Sequence, residues 1–107
     1  MDKNIIFATS SYNQKFYFDK IAETLPSDIK NNIKEIGIYF VNKVGGIFTL
    51  GFYNDGDFFM EYSFSEDDFL CDEIGAKLEI EKIKRENKNL ISSLTLWYKI
   101  FNSTNLK

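Results

Sequence analysis

The feature that most constrains this fold is the stretch from Ile47 to Phe64, where two apolar runs flank Asn54-Asp55-Gly56-Asp57. Apolar, strand-prone runs around an Asp-Gly pair signal a β-hairpin. Two registers are open to it. A two-residue turn at Asp55-Gly56 pairs Tyr53 with Phe58 and sets Phe48, Leu50 and Phe52 on one face with Glu61 and Ser63. A three-residue loop, Asn54 to Gly56, pairs Tyr53 with Asp57 and gathers Phe48, Leu50, Phe52, Phe58, Met60, Tyr62 and Phe64 on one face. A one-residue slip carries a whole strand's side chains across the sheet, so the cleaner segregation is expected. Gly56 then takes the left-handed bulge position. Tyr53 and Phe59 are left on the face away from the core.

The rest of the chain is arranged around that hairpin. Ile5 to Ala8 and Phe16 to Phe18 read as two short strands joined by the polar Ser10 to Gln14 connection. Pro26 suits a first helical turn and Asp28 complements its dipole. Ile29, Ile33, Ile36 and Phe40 then follow on one helical face, with Gly45-Gly46 as the stop. The segment Ile36 to Val41 is rich in β-branched and aromatic residues, so a buried strand is the alternative there. From Asp72 a helical stripe runs through Ala76, Ile80, Ile83, Asn87, Leu90, Leu94, Trp97 and Phe101, almost four heptads. A helix over 72–102 would be roughly 45 Å long, more than a short strand can cover. It is expected to break near Gly75 or Asn87 to Asn89, or to project past the sheet. The order strand-strand-helix-strand-strand-helix predicts an α+β, two-layer fold. About four mostly antiparallel strands carry the helices on one face, and a long helix ends the chain.

With 107 residues, a single domain over 1–107 is expected. The chain has no histidine, which removes Ser-His-Asp and Cys-His nucleophiles and His-containing zinc sites. Its lone cysteine can form neither an intrachain disulfide nor a CxxC pair. The N-terminal apolar run is too short for a signal peptide, and no stretch nears the ~20 apolar residues of a membrane span. A cytoplasmic, non-enzymatic protein with no membrane partner and no cofactor is the expectation.

Charge is the uneven feature. Residues 1–43 carry +1, residues 44–76 carry −8 without one Lys or Arg, and residues 77–107 carry +4. The acidic third fails as an EF-hand, because aligning Gly56 with loop position 6 puts Tyr53 and Tyr62 where carboxylates belong. Glu66, Asp67, Asp68 and Asp72 are candidates for a surface that imitates nucleic-acid phosphate or inhibits a basic protein. The plainer reading is a solvated loop in which Asp67 or Asp68 caps the next helix. Ten of the 18 aromatics lie between Tyr39 and Phe69, largely in this acidic region, so nucleic acid is not expected as a partner. Cys71 has acidic neighbours that disfavour a thiolate and is expected to be a buried or half-buried structural residue.

The heptad stripe admits two readings. In one it packs wholly on the sheet. In the other its second half, Asn87, Leu90, Leu94, Trp97 and Phe101, meets a second copy or another protein, with polar Asn87 fixing the register. The second makes the protein a homo-oligomer or a regulatory subunit, and the Tyr53/Phe59 face is a further candidate interface.

The segments SYNQKFYF (11–18), LPSDIK (25–30), VGGIFTLGF (44–52), DEIGAKLEI (72–80) and LWYKIF (96–101) together resemble a family of small bacterial proteins defined only as a domain of unknown function. The resemblance spans nearly the whole chain. It implies a bacterial, cytoplasmic protein and supplies no activity or site. At the level of fold alone, a helix leading through glycine into a hairpin is similar to roadblock/longin-like domains, in which dimerisation is common.

Overall fold

The computed structural model describes residues 3–105. Its elements run β1 (Lys3–Ser10), β2 (Lys15–Phe18), a 3-10 turn (Lys20–Thr24), α1 (Ser27–Val44), β3 (Ile47–Tyr53), β4 (Phe58–Ser63), α2 (Glu73–Glu86) and α3 (Lys88–Asn105). The strands make one antiparallel sheet in the order β2-β1-β3-β4. Two hairpins therefore lie side by side, and α1 carries the chain from one to the other.

The β3–β4 hairpin has the three-residue loop. Phe52 stands opposite Phe58 and Leu50 opposite Met60. The Tyr53 N–H donates to the Asp57 carbonyl at 2.8 Å, and the Gly56 N–H donates to the Tyr53 carbonyl at 2.9 Å. Gly56 sits at φ +94°, a conformation that glycine adopts at little cost. The expected face holds: Phe48, Leu50, Phe52 and Met60 are buried, and Phe58, Tyr62 and Phe64 pack partly buried against them.

The segment Ile36 to Val41 is helical, inside α1. Its glycine has a packing reason, because a Cβ on Gly37 would collide with the Phe7 ring. Glycine lets the helix lie close on β1. The helix ends where expected, with Gly45 and Gly46 at positive φ and the Gly45 N–H bonded to the Val41 carbonyl at 2.9 Å.

All three helices contact the same sheet face. α1 covers Phe7 and Thr9 through Gly37, while Ile80 of α2 lies beside Met60 and Tyr62. Tyr98 of α3 stacks on Phe52 with ring centroids 4.2 Å apart, and its hydroxyl accepts from Asn4 Nδ2 at 2.8 Å. A β-bulge in β1, where the register shifts between Ile5 and Phe7, lets the adjacent Ile6 and Phe7 both enter the core.

The long C-terminal helical region is divided at Asn87, at φ −125° and ψ 35°. Its side-chain amide donates to the Ile83 carbonyl at 2.8 Å, and its own carbonyl accepts from the Ile91 N–H at 3.0 Å. Gly75 is not a break. It lies in the first turn of α2, where Asp72 Oδ1 accepts its N–H at 2.8 Å. The cap is thus Asp72, not Asp67 or Asp68. Among the described residues no helix is long and apolar enough to cross a membrane.

Candidate functional site

Two regions compete for the role of partner surface: the second half of the heptad stripe, and the acidic connection from β4 into α2.

In the first region most of the singled-out side chains are engaged within the chain. Leu94 is 1% exposed in the core, and Leu90 and Trp97 pack against that core partly buried. Trp97 Nε1–H donates to Thr24 Oγ1 at 2.8 Å, and its ring lies 5.9 Å from half-buried Phe101. Asn87 closes α2 and opens α3, so its polarity serves the helix break. Among the described residues the exposed large apolar side chains of α3 are Leu96 and Ile100, four residues apart.

Tyr53 and Phe59 do lie on the sheet face away from the helices, beside each other at 5.2 Å between ring centroids. Phe59 is nonetheless only 4% exposed. The Lys3 ammonium sits over its ring, 5.4 Å from the centroid, and pairs with Glu61 at 2.5 Å. The Tyr53 hydroxyl donates to Glu61 Oε2 at 3.1 Å. Bonding to Glu61 holds the pKa values of both Lys3 and Tyr53 above their ordinary values. These four residues form a local cation–π and ion-pair cluster that satisfies itself.

The acidic region is built differently. Tyr12, from the β1–β2 connection, donates its hydroxyl hydrogen to Asp68 Oδ2 at 2.6 Å and accepts the Ser65 N–H at 2.9 Å. Asp68 in turn accepts the Leu70 N–H at 3.1 Å, and its own N–H bonds the Ser65 carbonyl at 3.0 Å. Ser65 Oγ donates to Asp67 Oδ1 at 2.5 Å. That bond draws the Asp67 pKa below its ordinary value, and the bond to Asp68 raises that of Tyr12. Asp67, Asp68 and Asp72 therefore shape the loop and cap the helix, while Glu66 is exposed. Among the described residues no three His, Cys, Asp or Glu side chains gather as a metal site requires.

What this scaffold presents is apolar. Phe69 and Leu70 are 92% and 94% exposed, and Ile74 and Leu78, one turn apart on α2, are 76% and 60% exposed. None of the four belongs to the stripe that packs on the sheet. Sequence periodicity missed them, although their position off that stripe was a usable signal: an apolar side chain outside the core face has no partner within the fold. Cys71 lies among them and is exposed, which corrects the expectation of a buried structural thiol. Its place in an outward loop, rather than on a helix face, accounts for the difference.

The arrangement sets four exposed apolar side chains on and just after a carboxylate-rich loop. The model of a family of unknown function, DUF6145, matches residues 3–105, and the chain belongs to that family. No curated protein and no solved structure matches the chain.

Proposed function

We propose that this member of the family is a non-enzymatic interaction protein that engages its partner through Phe69, Leu70, Ile74 and Leu78 within their acidic rim. One observation carries the reading: Phe69 and Leu70 stand almost fully in water on a loop whose shape is held by the Tyr12–Asp68–Ser65 bonds. The summed exposed area of the four side chains, on the order of 400 Å², is comparable to the largest apolar patch of a typical monomer, which is often functional. Folding gains nothing from exposing them. A loop already fixed by hydrogen bonds also loses less entropy on docking. The exposed Cys71 thiol fits a reducing, cytoplasmic compartment, and bacterial origin belongs to the same reading.

The alternative, an acidic inhibitor or nucleic-acid mimic acting through Glu66, Asp67, Asp68 and Asp72, draws less support. Three of those carboxylates already accept hydrogen bonds within the loop or helix cap. Affinity capture from the native cell separates the two. Phe69→Asp with Leu70→Asp is expected to abolish capture, whereas Glu66→Ser with Asp67→Ser weakens it. The opposite ranking favours the acidic mimic, and capture that survives both changes ends the proposal.

A further inference from the structure

Resting on the reading of residues 65–78 as a docking surface, we propose that its occupant is a second copy of this chain, the two α2 helices lying antiparallel across a two-fold axis. Charge selects the occupant. The surface opens acidic, with exposed Glu66, Asp67 and Glu73, while the last turns of α2 carry Lys82, Lys84 and Arg85 against Glu81 and Glu86, Arg85 lying seven residues after Leu78 on the same side, and Lys88 follows. A second copy therefore carries both the acidic rim and the basic segment that complements it. Orientation follows as well: parallel helices would set acid on acid, and antiparallel helices set acid on base at both ends.

The apolar residues fit the same symmetry. Ile74 and Leu78 are neighbours at a spacing of four on the outward side of α2. An axis passing between them packs Ile74 of each copy against Leu78 of the other, the reciprocal contact that an isologous interface requires. Phe69 and Leu70 then reach over the C-terminal half of the opposite helix. Arg85 there offers an aliphatic stem for apolar contact and a guanidinium for the flanking carboxylates.

The test is a charge swap read by sedimentation equilibrium at low salt, with circular dichroism confirming the fold of each variant. The wild-type chain is expected to dimerise, and Leu78→Asp to make it monomeric. Lys84→Glu with Arg85→Glu is expected to weaken the dimer about tenfold or more, as is Glu66→Lys with Asp67→Lys. Mixed in equal amounts, the two charge variants are expected to regain a dimer, because both contacts then pair opposite charges. A wild-type chain that stays monomeric overturns the inference, and so does a dimer that all these variants leave intact or a mixture that fails to reassociate. A monomer whose cellular partner is still lost on Phe69→Asp with Leu70→Asp overturns self-association alone and leaves the docking surface standing.

Discussion

Two apolar stretches of the C-terminal half have similar composition and opposite fates. Leu90, Leu94, Trp97 and Tyr98 of α3 pack inward, and Tyr98 stacks on Phe52. Phe69, Leu70, Ile74 and Leu78 face water. The difference is one of phase. Leu90, Leu94 and Trp97 resume, beyond the break at Asn87, the stripe of Ala76, Ile80 and Ile83, with Tyr98 beside it, whereas Ile74 and Leu78 lie off it and Phe69-Leu70 precede the helix altogether. Hydrophobicity alone does not separate core from exposed surface; position relative to the sheet-facing stripe does.

The largest effect that tests this division is in α3. Leu94→Ala is expected to lower stability by about 2–5 kcal/mol, a large share of the ~5–15 kcal/mol typical of such a domain. Leu94→Asp should prevent folding. Chemical denaturation measures the first, and a loss within 0.5 kcal/mol would place Leu94 outside the core. Gly37→Ala should come next, at about 1–3 kcal/mol, because its methyl group meets the Phe7 ring under α1. By contrast, Phe69→Asp with Leu70→Asp should leave the unfolding free energy, measured in dilute solution where the chain is monomeric, within about 0.5 kcal/mol of wild type while removing association at higher concentration. A large destabilisation by that pair would mean the patch is part of the fold.

The smallest effect is at the loop's latch. The Tyr12 pKa is raised above its ordinary 10.0, chiefly by its hydrogen bond to Asp68. A folded-state pKa above the unfolded one means the latch contributes fully below pH ~10 and is lost as pH climbs through the raised value. Tyr12→Phe should mimic that alkaline loss at neutral pH. Amide hydrogen exchange at Ser65, Asp68 and Leu70 is expected to speed up while that of β3 and β4 stays unchanged. Unaltered exchange at Leu70 would show that the latch does not organise the loop.

Much of the fold was legible in the sequence because its signals were local. Asn54-Asp55-Gly56 and the alternating Phe and Leu residues around it specify one register, and Gly45-Gly46 ends α1. Asn87 was recognisable as a break, but its role was not. The same residue suits a coiled-coil seam or a helix junction, and only its bonds to Ile83 and Ile91 decide between them. The burial of Phe59 was hidden because it depends on Lys3, which β1 brings beside the hairpin from the far end of the chain. The exposed apolar patch was legible only in part, Ile74 and Leu78 through their position off the stripe, while the shape of the loop before them was not. Tyr12 and Ser65 are 53 residues apart, and no sequence pattern announces the bond that props up Phe69 and Leu70.

The central claim is that residues 69–78 form a partner surface while the stripe through Leu94 and Tyr98 is core. Hydroxyl-radical footprinting at two protein concentrations tests it most directly. Phe69, Leu70, Ile74 and Leu78 should be heavily labelled in dilute solution and protected in concentrated solution, with Leu94 and Tyr98 unlabelled in both. Equal labelling of Phe69 and Leu70 at both concentrations would contradict self-association through this surface, and labelling of Leu94 in the dilute folded protein would contradict the division between core and surface.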